Sequence, residues 1–231
     1  MKKWLFAFFI LSVIFTKSQI KLTINSIERN KNFLTISIIN NTFDTYILPI
    51  DTVGFKTYHQ ENKCNDFFMM RNYPDLGLIP MISDSKSNYI EAFIQNKGEL
   101  ISDNNPYRKN DEKYKKRKEK IIKEWKEKNK INDKDNSWIN VNHYVYNHLI
   151  ILKPHQKITF KKKFDYTELN ESEEIYSYDY YPLEKGIKYD MFLKICIDES
   201  VYQYLTKKQV QKFKNYTFFK GVIESNKLSI N

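Results

Sequence analysis

Few residues in this 231-residue chain have the type to do chemistry: four histidines, two cysteines and an acidic run at Glu168, Glu171, Glu173 and Glu174. His143 and His148 lie five apart, on opposite faces of a strand and about 140° apart on a helix, so neither geometry makes a metal pair. His155 follows Pro154, so a His148–His155 pair is conceivable across a hairpin, with no third ligand indicated. A zinc-protease His-Glu-x-x-His, a Gly-x-Ser-x-Gly elbow and a glycine-rich phosphate loop are absent. Cys64 with His59 offers a thiol and a base by composition alone, against surface or disulfide roles. Paired acids for glycoside hydrolysis need a separation that sequence does not supply, and a solvated acidic turn is the plainer reading. We therefore assign no catalytic residue, no metal and no cofactor. An enzyme whose site is assembled from distant strands, around His148, His155 or the glutamates near 171, stays as an alternative.

Two other patterns bear on binding. Tyr176, Tyr178 and Tyr180 recur every second residue, so in a strand they share one face, and Tyr144 with Tyr146 repeats the pattern. Such rows can stack on sugar rings or a peptide, or pack across strands with no ligand. The second pattern is basic. Residues 107–134 hold 13 Lys or Arg against 6 Asp or Glu, including Lys115, Lys116, Lys118 and Lys120. These lysines could meet an anionic surface, or simply solvate a helix.

The elements that must position these groups are mostly extended. Alternation predicts strands over Lys21–Ile27, Phe33–Ile39, Thr45–Leu48, Val53–Tyr58, Phe67–Met70 and Tyr89–Ile94, with residues 71–88 loop-like around Pro74, Gly77 and Pro80. From Tyr107 to Ile131 there is no Gly or Pro, and Tyr114, Ile121, Ile122 and Trp125 form a thin helical stripe. After it, alternation predicts strand over Ile139–Leu152, then around Ile158–Phe164, Tyr189–Ile197, Tyr216–Ile223 and Leu228–Ile230. Thr206-Lys207-Lys208-Gln209 is a capping-box pattern opening a short helix to about Lys214. The expectation is a mainly β chain: one immunoglobulin-like antiparallel sandwich over 19–231, with a long charged helical insertion (107–131) and a short helix (206–214). Two separate β domains are the alternative division.

Met1–Gln19 reads as an export leader, with Lys2 and Lys3 before the apolar run Trp4–Phe15 and a polar close. Twelve residues of helix span about 18 Å, short of the roughly 30 Å hydrocarbon core, so cleavage after Ser18 (or Gln19) is preferred over a permanent anchor. Removing Lys2, Lys3 and Lys17 takes the net charge from +10 to +7, and the 107–134 segment carries all of that excess. The expected location is periplasmic or secreted, with no transmembrane segment after cleavage and no cellular nucleic acid as partner. In such a compartment Cys64 and Cys196 either form a disulfide or stay apart as two thiols, since spacing alone fixes no distance.

Leu34-Thr35-Ile36-Ser37-Ile38-Ile39-Asn40-Asn41, the Leu152-Lys153-Pro154 turn into Ile158-Thr159-Phe160, and Phe219-Lys220-Gly221-Val222-Ile223-Glu224-Ser225-Asn226 resemble uncharacterised exported β-sandwich proteins of Gram-negative bacteria. The resemblance implies a fold and a compartment, and carries no activity or site residue. The leading expectation is a non-enzymatic binding or accessory module for an envelope protein or glycan, with an envelope-polymer-degrading enzyme and an anionic-surface binder as alternatives.

Overall fold

A computed structural model describes residues 19–28, 32–61, 64, 67, 73–96, 106–170 and 177–230, of which 106–111 through the backbone only. The chain is mainly β, in several sheets. β1 (Ile20–Glu28), β2 (Phe33–Asn40) and β8 (Lys157–Lys163) form an antiparallel three-stranded sheet in the order β1-β2-β8. Strict alternation explains the burial: Ile20, Leu22 and Ile24 face inward with Leu34, Ile36 and Ile38, all buried, while Lys21 and Asn25 face water. A register shift between Ile24 and Ser26 lets Ile27 pair with Leu34.

A second sheet runs β12 (Gly221–Glu224), β10 (Tyr189–Ile197), β5 (Gly77–Ser83), β4 (Asp51–Phe55), with β13 (Leu228–Ile230) also on β10. Its central strand β10 buries Met191, Leu193, Ile195 and Ile197 in the same core as the inward faces of β1 and β2. The third sheet, β11 (Thr217–Phe218), β3 (Tyr46–Pro49) and β7 (Leu149–Leu152), adds Tyr46, Leu48 and Leu152 to that core. β6 (Phe93–Asn96) and β9 (Ser177–Tyr180) pair as a two-stranded ribbon.

Three expectations change here. The pairing is not purely antiparallel, since β4 runs parallel to β5 and β11 parallel to β3. Residues 77–83 are a strand rather than loop. Pro80 is tolerated because pairing with β4 covers only Gly77 and Leu78, so no N–H is required of residue 80 on that edge. Gly77 is obligatory there, because a Cβ would lie 2.8 Å from both the Lys56 nitrogen and the Pro74 carbonyl oxygen. Third, residues 139–147 are helical, not extended. Of the strand expected over Phe67–Met70, residues 68–70 lie outside the described residues, and Phe67 belongs to no strand.

α1 (Pro106–Asn129) and α2 (Asn136–Asn147) form a hairpin between β6 and β7. Asp135 caps α2 by accepting from the Trp138 N–H at 2.8 Å, and Ile139, Asn142 and Val145 then recur at helical spacing on its buried face. Ile122, Ile131 and Ile139 make a small core of their own, flanked by Trp125 and Trp138. Ile122 is therefore the pin, whereas Ile121 is exposed. α3 (Lys207–Lys212) has the capping box read from the sequence, with Thr206 accepting from the Gln209 N–H and the Gln209 side chain accepting from the Thr206 N–H. A 3-10 turn, Glu199–Tyr204, leads into it.

Candidate functional site

Aromatic rings gather on the β6–β9 ribbon and the chain leading into it. The antiparallel register sets Phe93 opposite Tyr180 and Gln95 opposite Tyr178. Phe93 and Tyr180 lie 6.0 Å apart, and Tyr178 lies 6.5 Å from Tyr180. Upstream, Ala92 is buried, and Tyr89 and Phe93 on either side of it are 47% and 53% exposed. Ala92 also pairs by backbone with Tyr58, whose ring meets that of Tyr89 at 5.8 Å. Glu91 lies between them in sequence. Burial and then the Glu91 carboxylate hold the Tyr58 phenol above its ordinary range. The result is two sets of half-exposed rings, Phe93 with Tyr178 and Tyr180 on the ribbon and Tyr58 with Tyr89 just ahead of it, with Glu91 between them in sequence. Such rings can stack on ring faces while the carboxylate accepts hydroxyl protons.

Directly beneath this surface is a buried polar cluster. Asp179 lies between Tyr178 and Tyr180 in β9, and its carboxylate is buried, accepting hydrogen bonds from Thr57 and Asn170. The Thr57 hydroxyl also meets the Tyr73 hydroxyl at 3.0 Å and His59 Nε2 at 3.2 Å. Asn170 clamps β4, accepting from the Phe55 N–H and donating to the Phe55 carbonyl. The Tyr181 hydroxyl accepts from the Tyr58 N–H and donates to the Pro80 carbonyl. Burial pushes the Tyr73 phenol up to about 12. It also raises the Asp179 carboxyl from 3.8 to about 6, outweighing the two hydrogen bonds.

A pH dependence follows. Between about pH 4 and 6 the folded chain keeps a proton on Asp179 that the unfolded chain releases, so unfolding free energy falls as pH rises through that window. The loss is roughly 2–3 kcal/mol. Asp179→Asn should remove that slope. Urea unfolding from pH 4 to 7 checks it: parent and variant curves that stay parallel would refute the assignment.

The other sequence candidates are placed elsewhere. Tyr176 and the glutamates at 171, 173 and 174 lie outside the described residues. Tyr144 and Tyr146 do not form a strand row, because α2 turns them to different faces. The Tyr144 hydroxyl donates to Asp51 Oδ2 at 2.8 Å and accepts from the Leu76 N–H, and burial followed by the Asp51 charge keeps it protonated. Tyr146 packs on Trp125 and Phe213, with Lys212 donating to its hydroxyl. His148 and His155 sit at opposite ends of β7 and are not brought together. His148 Nδ1 faces the Tyr144 carbonyl at 2.7 Å, and Nε2 lies 3.4 Å from Asp51 Oδ2. His155 stands edge-on to Phe43. His143, lowered by burial and then by His148, meets Trp125 edge-on.

Cys64 is bonded to Cys196, with Cα atoms 5.1 Å apart, so it carries no thiolate to act with His59. Lys115, Lys116 and Lys120 are exposed on α1, and Lys120 reaches Glu124 at 3.9 Å. Lys118 is instead half-buried over the Tyr114 ring; burial lowers its pKa and Asp75 opposes that. Among the described residues, no group of three His, Cys, Asp or Glu is placed to hold a metal.

Sequence reading missed Tyr58, Tyr89, Glu91 and Phe93, because the backbone pairing of Tyr58 with the 89–93 segment joins stretches far apart in the chain. The Tyr178–Tyr180 spacing was the one legible signal. No family model, no curated protein and no solved structure matches the chain.

Proposed function

We propose that this is an exported, non-enzymatic β-sandwich module of the immunoglobulin-like kind, carrying a charged helical insertion, that binds an envelope glycan through the aromatic surface of β6 and β9. The observation that carries the reading is the exposure of Tyr89 and Phe93 beside Glu91, with Tyr58, Tyr178 and Tyr180 completing the surface. Rings of this kind take the C–H faces of pyranose units, and the carboxylate orients their hydroxyls. The Cys64–Cys196 bond supports an oxidising compartment. His148 and His155, at opposite ends of β7, do not meet as the enzymatic alternative would need.

Retention of the purified protein on insoluble envelope polysaccharide tests the reading. Phe93→Ala and Tyr89→Ala should each weaken retention roughly tenfold, about 1.4 kcal/mol. Glu91→Gln should weaken it less, because it keeps an acceptor oxygen. A parent protein that no envelope polysaccharide retains, or a Tyr89→Ala/Phe93→Ala variant retained like the parent, would sink the proposal.

A further inference from the structure

Away from these residues in the sequence, the loop 41–45 carries Phe43, which is 87% exposed. The loop is not slack. Asn40, fully buried, donates from its amide to the Asp44, Leu152 and Lys153 carbonyls and accepts from the Thr42 N–H and hydroxyl. The Asn40 N–H reaches the Gln156 carbonyl at 3.0 Å, so the loop and the β7–β8 turn are fastened into one tip. Phe43 thus stands out of a fixed scaffold, its ring meeting the edge of His155 at 4.9 Å. Exposed lysines lie on the neighbouring elements: Lys153 in the turn, then Lys157 and Lys21, which flank Ile39 in one row of the β1-β2-β8 sheet. Asp44 is the opposing charge in the loop.

The start of β1 lies against the same tip. The Asn41 N–H donates to the Gln19 carbonyl at 2.9 Å, and the Tyr46 hydroxyl donates to the Gln19 side chain. Only Thr16, Lys17 and Ser18 separate Gln19 from the apolar run Trp4–Phe15. Four residue steps reach at most about 14 Å. Until the leader is cleaved, a chain whose apolar run lies in the bilayer keeps Gln19 within that reach of it.

We propose that loop 41–45 and the β7–β8 turn form a membrane-docking tip, in which Phe43 enters the interfacial layer of an anionic bilayer and Lys21, Lys153 and Lys157 meet its phosphates. The chemistry is that of an interfacial anchor, one exposed apolar side chain with cations on the elements beside it. It is independent of the glycan reading, which uses other residues.

The test uses the protein recovered after export, its N-terminus read by mass spectrometry. Flotation with phosphatidylcholine vesicles is compared with and without phosphatidylglycerol. Binding is expected only with the anionic lipid, falling roughly tenfold or more for Phe43→Ala and for Lys153→Glu/Lys157→Glu. Near-ultraviolet circular dichroism checks that both variants keep the native packing. A Phe43→Trp variant should gain emission that brominated acyl chains quench, a readout that stays specific to the tip even if residues 4–15 are retained. No added quenching at position 43, or flotation of Phe43→Ala equal to the parent, overturns the proposal. So does capture of a protein through Phe43 without vesicle binding.

Discussion

Replacing Cys64 and Cys196 together by serine is expected to lower the unfolding free energy by about 4–5 kcal/mol, the largest single effect in the molecule. The bond closes a loop of 132 residues in sequence, and in the chain-entropy model the restriction of the unfolded chain grows with that length. Its place in the fold adds to the effect. Cys196 lies near the end of β10, paired with Val222 of β12, and the bond fastens the segment after β4 to the central strand of that sheet. That segment carries Thr57 and His59, so the bond also steadies the cluster under the aromatic surface. Urea unfolding should show the parent midpoint falling by about 2 M on adding reductant, given a slope of roughly 2–3 kcal/mol/M. The double serine variant should be insensitive to reductant. A loss below about 1 kcal/mol would mean that native strain offsets the constraint.

Asn142→Ala should be the most damaging change in the helical hairpin, at about 3 kcal/mol. Asn142 is fully buried and joins three elements. Its oxygen accepts from the Trp125 indole at 2.8 Å, and its amide donates to the Tyr204 carbonyl and to Gln209 Oε1 at 2.7 Å. Alanine leaves the indole N–H and the Tyr204 carbonyl without these partners in a site closed to water, and each such loss costs about 1–3 kcal/mol. Asn142→Asp should be no better, since it places a carboxylate oxygen against two acceptors. The midpoint of thermal unfolding should drop by roughly 6–12 °C, with Trp125 emission shifting to longer wavelength in the folded variant. A drop of under about 2 °C would show that the hairpin is held by Ile122, Ile131 and Ile139 alone.

Much of the β structure was legible. The alternation of Tyr189–Ile197 and Phe33–Ile39 falls on β10 and β2, since Met191, Leu193, Ile195 and Ile197 and Leu34, Ile36 and Ile38 all enter the core and period two leaves no other register. The Thr206–Gln209 capping box likewise marked the start of α3. Residues 139–147 were misread because Ile139, Val141, Tyr144, Val145 and Tyr146 are β-prone types. Tertiary contacts decided otherwise, through the Asp135 cap and the Asn142 network. Residues 77–83 were misread because Pro80 and Gly77 signal a loop, whereas the geometry uses both within a strand. The aromatic surface was half legible: Tyr178 and Tyr180 announced themselves by spacing, but Tyr58, Tyr89 and Phe93 did not.

The chemistry-bearing residues with which the reading began divide the same way. By itself the sequence determined how few they are, the absence of recognised catalytic motifs, and a pattern of alternation that makes the chain mainly β. Those are properties of composition and local period, which no packing alters. Only the tertiary structure decided that Cys64 meets Cys196, that His148 lies against Tyr144 and Asp51, and that Asp179 lies buried beneath a row of half-exposed rings. Each depends on the distance between segments remote in sequence, and that distance is set by how the sheets share one core.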